Sequence, residues 1–228
     1  MNFRAIASAV ALICYASVGQ ATVANLITFE EVPNGLAPMV NSPGTAIPTA
    51  SQLTNQYLAS NGVSFTSLVG YAALVTHGAP TASVPNIIGG TNVSGGLNYD
   101  APITISFFDL SNTSIFATTD FFKIQGDWSP LRSGQVFATA FGATGNILGS
   151  TSDTDDKVFG VSGPVLQFNF SGIHSVTISG NNGTVGFDQL EYGNLTPVPE
   201  SSTFAMLGLG LCGLAMLRLR GRTRKLSV

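Results

Sequence analysis

Residues 135–150, QVFATAFGATGNILGS, decide the fold class of this 228-residue chain. Side chains alternate along residues 135–141, with Val136 on one face and Phe137, Thr139 and Phe141 on the other, so one face of a strand can pack on a core. Residues 142–146 carry the glycines of a turn, and residues 147–150 resume the extended pattern. The stretch therefore predicts a β-hairpin whose loop has five residues.

The rest of residues 22–199, which we call the body, repeats this pattern. Short runs rich in Val, Ile, Thr and Phe are separated by Gly, Asn, Ser and Pro, and no window of the body carries an apolar stripe with helical spacing. One helical turn is predicted at residues 50–59. The predicted strands cover residues 26–29, 63–65, 72–76, 103–108, 120–124, 135–142, 147–151, 158–160, 165–170, 175–179 and 185–192. Short strands with frequent turns predict an all-β fold, an antiparallel β-sandwich of jelly-roll type.

The body is acidic and contains no cysteine. Within residues 22–199, three basic residues oppose eleven acidic ones, which leaves a net charge of about −8. Such a body repels nucleic acid, because phosphates need a basic face, so nucleic-acid binding is excluded. The two cysteines, Cys14 and Cys212, lie near the ends of the chain, which excludes disulfides, cysteine-ligated zinc and thiol catalysis in the body.

The N-terminus has the features of a secretory signal peptide. Arg4 supplies a positive end, residues 5–18 are almost uniformly apolar, and Gly19-Gln20-Ala21 places small residues at the two positions that signal peptidase reads. We expect cleavage after Ala21, with cleavage after Ala24 as the alternative. Signal peptidase is therefore a predicted partner, and the body is predicted to be exported.

Residues 201–217 form an uncharged stretch of 17 residues, which as a helix is just long enough to span the hydrocarbon core of a membrane. Five of the nine basic residues follow it, in the last eleven positions of the chain. Because basic residues mark the cytoplasmic flank of a membrane helix, the body is predicted to lie outside the cytoplasmic membrane. An ordinary membrane anchor that is never processed would show the same pattern.

This tail also resembles a known sorting signal. Val198-Pro199-Glu200-Ser201, the short Leu/Gly/Met stretch and the basic end with Arg218, Arg220 and Arg222 resemble the PEP-CTERM signal of bacteria that carry exosortases. In that family a second proline usually follows Pro-Glu, where this chain has Ser201. The resemblance implies an exosortase-type processing enzyme as a partner, cleavage near Pro199-Glu200, and a destination in the cell envelope or the extracellular polysaccharide matrix.

The body resembles a group of PEP-CTERM ectodomains that open with a strand ending in Phe-Glu and close with a Gly-Phe-Asp-x-Leu strand. The matching segments are Ile27-Thr28-Phe29-Glu30 and residues 185–192, VGFDQLEY, with PNIIGG at residues 85–90 between them. Such ectodomains look like carbohydrate-binding or galactose-binding-like sandwiches. The resemblance implies that the first and last strands lie side by side.

That adjacency gives Glu30, Glu31 and Asp188 a joint role as a metal site. A hard cation such as Ca²⁺ takes six to eight oxygen ligands, and exported proteins meet enough calcium to fill weak sites. We therefore predict a structural Ca²⁺ held by these three acids, with a solvated acidic cluster as the alternative. A second acidic group at residues 153–156 lacks the glycine and the distal glutamate of an EF-hand loop, and we interpret it as a solvated turn.

A glycan site is the second hypothesis for the body. Sugar sites on β-sandwiches combine an aromatic ring with amides and carboxylates. Trp128 is the single tryptophan, and with Asp127 and Arg132 it forms the predicted glycan-binding set. Three tyrosines are further candidates, namely Tyr57, Tyr71 and Tyr99. A tryptophan that serves only as a core anchor is the alternative.

Catalytic motifs are absent from the sequence. The two histidines, His77 and His174, are far apart, and neither has a serine-elbow motif or a second histidine at metal spacing beside it. We predict a non-enzymatic envelope or matrix protein that binds polysaccharide. The alternatives are a secreted polysaccharide-active enzyme, with two of the acids as a catalytic pair, and a purely structural matrix protein.

The predicted organisation has five segments. A signal peptide covers residues 1–21, or 1–24 with the second cleavage site, and the sandwich covers residues 22–193. A linker with the Pro-Glu motif follows at residues 194–200. The membrane helix then covers residues 201–217, and the basic cytoplasmic tail covers residues 218–228.

Overall fold

The computed structural model describes residues 25–77, 83, 85–126, 134–154, 163–181 and 186–198. Strands dominate these residues, and their single α-helix, α1, covers Leu58–Asn61. In chain order the strands are β1 Asn25–Ile27, β2 Met39–Val40, β3 Gln52–Leu53, β4 Val63–Ser67, β5 Ala72–Thr76, β6 Asn86–Thr91, β7 Leu97–Asn98, β8 Ile103–Asp109, β9 Asn112–Thr118, β10 Phe122–Gly126, β11 Gln135–Phe141, β12 Ile147–Thr154, β13 Val165–Phe168, β14 Ser175–Asn181, β15 Phe187–Tyr192 and β16 Thr196–Pro197.

These strands form two sheets, as predicted for a β-sandwich. The nine-stranded sheet has the order β13-β10-β15-β6-β5-β2, with β1 beside β15, β3 beside β5 and β7 beside β6. The seven-stranded sheet has the order β12-β11-β14-β8-β9-β16, with β4 beside β8. Pairing is antiparallel throughout the described strands except between β2 and β5, which run parallel.

The predicted hairpin is confirmed. β11 and β12 pair antiparallel from Gln135 opposite Thr154 to Phe141 opposite Ile147, and residues 142–146 connect them. The face that packs on the core carries the small apolar side chains of β11, because Val136 is fully buried whereas Phe137 is 37% exposed. The large aromatic face of this strand therefore looks outward.

The main core lies between the two sheets. Side chains of both sheets belong to one buried cluster, with Phe122 and Phe187 from the nine-stranded sheet and Phe65 and Phe107 from the seven-stranded sheet. Burying a side chain of this size contributes roughly 2 to 3 kcal/mol. A second, smaller cluster, which includes Met39, Ile47, Val75, Ile87 and Tyr99, forms separately from the main one.

The helical turn predicted at residues 50–59 is wrong in extent. Thr49–Ser51 form a short 3-10 helix, Gln52–Leu53 form β3, and only Leu58–Asn61 are α-helical. The cause is tertiary pairing, since Gln52 and Leu53 pair with Ala73 and Ala72 of β5 and are thereby extended. Helix α1 ends at Gly62, whose φ of +66° is the left-handed conformation typical of a helix C-terminus. The strand predicted at residues 158–160 lies outside the described residues.

Candidate functional site

The first strand, β1, lies beside β15 in the nine-stranded sheet. Strand β1 pairs antiparallel with β15, with Asn25 opposite Tyr192 and Ile27 opposite Leu190. The adjacency expected from the ectodomain resemblance is therefore present. This pairing brings the residues just after β1 next to Asp188 of β15. Glu30 and Asp188, which are 158 positions apart in the sequence, thereby become neighbours.

Unusual backbone geometry marks both sides of this contact. Phe29 has a φ of +63° and Gln189 has a φ of +46°, and these are the non-glycine residues with positive φ among the described residues. Gln189 lies in a bulge, where the register between β10 and β15 shifts between Lys123 and Gln125. Non-glycine residues in this conformation cost about 1 to 3 kcal/mol and concentrate at sites with a function. The strained residues directly precede Glu30 and follow Asp188.

Asp188 is completely buried, with 0% of its surface exposed. Its carboxylate accepts hydrogen bonds from the backbone N of Ser83 at 2.6 Å and from the backbone N of Gln189 at 2.7 Å. The hydroxyl of Ser83 lies 2.8 Å from Oδ1 and 3.0 Å from Oδ2 of the same carboxylate. A buried carboxylate is stable only when its oxygens are paired in this way.

The hydroxyl of Ser83 is surrounded by oxygen atoms. Besides the Asp188 carboxylate, its Oγ lies 2.9 Å from the carbonyl oxygen of Thr28 and 3.4 Å from Oε1 of Glu30. A hydroxyl carries one proton and can donate to only one of these acceptors at a time. Oxygens of Thr28, Glu30 and Asp188 therefore lie close together around Ser83 Oγ, and Ser83 can donate a proton to only one of them.

Glu30 is held by Asn86, at the start of β6. Its Oε1 accepts the backbone N of Asn86 at 2.9 Å, and its Oε2 lies 3.4 Å from Nδ2 of the same residue. Asn86 is 4% exposed, and its Nδ2 also donates to the carbonyl oxygen of Phe29 at 3.2 Å. We call the group formed by Glu30, Ser83, Asn86 and Asp188 the acidic seam, because it joins the loop after β1 to β6 and β15.

Electrostatics in the acidic seam favour a proton or a cation. The pKa of Asp188 is raised from 3.8 to about 6, chiefly by burial. The nearby charge of Glu30 also raises this pKa, whereas the hydrogen bonds from Ser83 and Gln189 lower it. Burial also raises the pKa of Tyr57 to about 12, and the charges of Glu31 and Glu30 add to that shift. In both cases burial is the main cause, and the charge of Glu30 adds to it.

The predicted calcium ligands are only partly brought together. Glu30 and Asp188 share Ser83, whereas Glu31 is exposed and the bond it makes to Tyr57 is through its backbone carbonyl, at 3.1 Å. No group of three His, Cys, Asp or Glu side chains with metal-site geometry occurs among the described residues. The oxygens of the acidic seam still fit a hard cation in kind, since carboxylate, hydroxyl and carbonyl oxygens are what calcium takes.

The predicted glycan-binding residues Trp128, Asp127 and Arg132 lie outside the described residues. Of the three tyrosine candidates, Tyr57 and Tyr99 are each only 5% exposed and present no ring face to solvent. Tyr71 is half-buried.

A cavity of about 590 Å³ lies beside β1 and α1. It is lined by apolar Ile27 and Phe29 and by polar Glu31, Asn34 and Asn61, among others. This cavity could not be predicted from the sequence, because its lining comes from two separate segments of the chain, residues 26–34 and 57–61.

The tail begins at the opposite sheet. Strand β16 pairs with β9, and the backbone N of Val198 donates to the carbonyl oxygen of Phe116 at 2.7 Å. The other predicted signal residues, Pro199, Glu200, Arg218, Arg220 and Arg222, lie outside the described residues, as do the predicted signal peptide and membrane helix. None of the described residues belongs to a helix with the length and apolar character that a membrane crossing requires.

Two members of the acidic seam, Ser83 and Asn86, were not predicted as site residues. Ser83 is 105 positions from Asp188 and Asn86 is 56 positions from Glu30, so no local spacing connects them. The one available signal was the PNIIGG segment at residues 85–90, which contains Asn86 and belongs to the ectodomain resemblance.

Comparisons with known proteins give distant structural similarities. No protein-family model matches the chain, and no curated protein matches it. The chain is similar to the crystal structure of a DUF4465 family protein from Bacteroides caccae ATCC 43185, with 13% identity and a TM-score of 0.38, over 78% of this chain and 99% of that one. It is also similar to the enzymatically active domain of tailspike protein 4 from bacteriophage CBA120, with 11% identity and a TM-score of 0.29, over 64% of this chain and 20% of that one. Neither similarity is close enough to indicate a function.

Proposed function

We propose that this chain is an exported, non-enzymatic protein of the cell envelope or extracellular matrix, sorted by a PEP-CTERM-type signal, and that its sandwich is a galactose-binding-like jelly roll. The observation that carries the proposal is the tail, with Pro199-Glu200, an uncharged stretch at residues 201–217 and five basic residues after it. The structure supports it in one respect, since the folded body extends to Val198, directly before Pro199. Body and signal are thus contiguous.

Structural roles of the acids support the non-enzymatic part of the proposal. A glycosidase needs two carboxylates free to act on a sugar. Five of the described acids instead bond to the protein itself, and several do so in ways that stabilise strands: Glu30 with Asn86, Asp109 with Ser111, Asp153 with the backbone N of Val165, Asp188 with Ser83 and Glu191 with Lys123.

A structural Ca²⁺ belongs to this proposal. Glu30 and Asp188 would supply carboxylate oxygens, and Thr28 would supply its carbonyl oxygen. The bound ion would neutralise a carboxylate that is fully buried and a second one beside it. Because the acidic seam joins the loop after β1 to β6 and β15, an ion there would stabilise the closed sandwich.

Polysaccharide is the proposed ligand of the body. The cavity beside β1 supports this, since amide and carboxylate groups of Asn34, Asn61 and Glu31 suit sugar hydroxyls. Leu26, which also lines the cavity and is 52% exposed, suits the apolar face of a ring. A purely structural matrix protein is the second candidate, favoured by the number of acids engaged in internal bonds.

Two experiments test these proposals. Expression in an exosortase-bearing host and in the same host without the enzyme is expected to yield a mature protein that lacks the basic tail only in the first. A mature protein that keeps residues 218–228 in both hosts would refute the sorting proposal.

Binding of the purified protein to a panel of extracellular polysaccharides, with an Asn34→Ala variant as control, is expected to show affinity that the variant loses. Absence of binding to every polysaccharide would favour the structural matrix protein.

A further inference from the structure

The chain leaves the described fold along the edge of the seven-stranded sheet. Strand β16 pairs antiparallel with β9, with Thr196 opposite Thr118 and Pro197 opposite Ala117, and the bond from Val198 to Phe116 continues the pairing. Antiparallel pairing means that β16 runs toward the beginning of β9. At Val198 the chain thus runs in the direction of the turn between β8 and β9.

The exit is fixed rather than loosely tethered. Leu195, directly before β16, packs against the main core. Its side chain lies so close to Gly62 that a Cβ atom at Gly62 would come within 2.5 Å of Leu195 Cδ1. With Leu195 packed and β16 paired, the direction of the chain at Val198 is set by the fold.

Exposed apolar side chains lie on β9 and at the turn before it, in the direction in which β16 runs. Leu110, at the turn between β8 and β9, is 51% exposed, and Phe116, which pairs with Val198, is 52% exposed. The ring of Phe116 is braced by Phe108 at 5.3 Å and by His174 at 4.6 Å, between ring centroids. We call Leu110 and Phe116 the β9 edge surface.

We propose that, before processing, the β9 edge surface lies against the outer lipid interface of the cytoplasmic membrane. This inference rests on the proposed function, because it requires residues 201–217 to span the membrane. The three residues from Pro199 to Ser201 reach at most about 11 Å, and β9 from Phe116 to Asn112 is about 14 Å long. The start of the span therefore cannot be far from this edge.

The charges of the body limit this contact to the edge. A net charge of about −8 repels an anionic lipid surface, whereas the β9 edge surface gains free energy when it leaves water. Asp109, which accepts hydrogen bonds from the N and Oγ of Ser111 at 3.0 and 2.8 Å, keeps the turn polar beside Leu110. The contact is thus shallow, at the level of the lipid headgroups.

Site-specific fluorescence on the full chain tests the inference. Cys14 and Cys212 are replaced by Ser, and a single cysteine labelled with the environment-sensitive dye NBD is introduced by Leu110→Cys or by Ile147→Cys. Ile147 is a matched control, because it is 67% exposed and lies on β12, at the opposite edge of the same sheet. The protein is reconstituted in vesicles of phosphatidylethanolamine and phosphatidylglycerol that carry a nitroxide quencher near the headgroups.

We expect quenching of the dye at position 110 and none at position 147. A long Gly/Ser insertion between Val198 and Pro199 is expected to abolish the quenching at position 110, while flotation of the protein with the vesicles is unchanged. Flotation with equal quenching at both positions would overturn the inference alone, whereas failure to float would overturn the membrane span of the proposed function. Quenching at position 110 that requires an exosortase in the membrane would assign the surface to that enzyme and also overturn the inference.

Discussion

The acidic seam and the β9 edge surface each lie where a terminal segment of the body joins a sheet. The acidic seam joins its segment through buried polar contacts, whereas the β9 edge joins it through a short pairing at an exposed strand. At the acidic seam, Asp188 is fully buried and its oxygens are paired with Ser83 and Gln189. At the β9 edge, two residue pairs hold β16, and Phe116 is about half exposed. Buried polar contacts are strong when complete and costly when broken, whereas an exposed edge strand contributes little to stability.

We expect the acidic seam to control the stability of the sandwich and the β9 edge to control the direction of the chain at Val198. Changes in the acidic seam should alter the unfolding of the whole sandwich, because the seam connects the loop after β1 with β6 and β15. Changes at the β9 edge should alter where the tail points and leave the sandwich nearly as stable as before.

The largest effect is expected from Asp188→Ala. It leaves the partly buried backbone N groups of Ser83 and Gln189 without their acceptor, at a cost of roughly 3 kcal/mol in the free energy of unfolding. Urea denaturation measures this cost. The matched control is Asp109→Ala at the other region, where the lost partner is Ser111 in an exposed turn and the expected cost is below about 1 kcal/mol. Equal costs for the two variants would contradict the comparison.

A pH dependence of somewhat smaller size is expected in the presence of chelator. Because the pKa of Asp188 is raised from 3.8 to about 6, the folded state binds the proton more tightly than the unfolded state. Its contribution to stability is therefore complete below about pH 4 and is lost as the pH rises through about 6, a change of roughly 2 to 3 kcal/mol. Unfolding midpoints from about pH 4 to pH 7 measure it. If Asp188→Asn keeps the same profile, the assignment to Asp188 is wrong.

Lys123→Met tests the ion pair on the exposed side of β15. Lys123 Nζ lies 2.6 Å from Oε1 of Glu191, with 30% and 25% of the two side chains exposed. Partly exposed pairs contribute about 1 kcal/mol or less. We expect a loss of this size that diminishes in high salt, and a loss well above that of a surface pair would mean that the seam extends to Glu191.

The smallest effect on stability is expected from Val198→Pro. Proline removes the N–H that bonds to Phe116, at an exposed edge, so the free energy of unfolding should fall by less than about 1 kcal/mol. The tail, however, should lose its fixed direction. Limited proteolysis near residue 195 should therefore speed up in this variant while the urea midpoint hardly moves. A large shift of the midpoint would show that β16 is part of the cooperative fold.

Strands with alternating side chains could be predicted from the sequence, and two kinds of strand could not. β6 was missed because all six of its residues are buried, which removes the alternation, and because it contains Gly89 and Gly90. Glycine is needed there, since a Cβ at Gly89 would lie 2.8 Å from the ring of Tyr99. β9 was missed because it lies near the sheet edge and most of its residues are exposed or half-buried.

The pairing of Glu30 with Asp188 could be anticipated from the family-like motifs that carry them, but the rest of the acidic seam could not. Ser83 reaches Asp188 only because the fold closes over 105 positions, and the positive φ of Gln189 has no signature in a glutamine. The pairing of β16 with β9 was equally hidden, because Thr196 and Pro197 pair with Thr118 and Ala117, which lie far earlier in the sequence.

The most direct test of the acidic seam is the unfolding temperature of the full chain in detergent, measured with calcium and with chelator at pH 5 and pH 7, for the natural protein and for Asp188→Asn. Calcium requires the ionised carboxylate, so we predict that it raises the unfolding temperature, more at pH 7 than at pH 5, and that Asp188→Asn removes the effect. A protein that ignores calcium at both pH values, or an equal response in Asp188→Asn, would contradict the claim that Glu30 and Asp188 hold a cation.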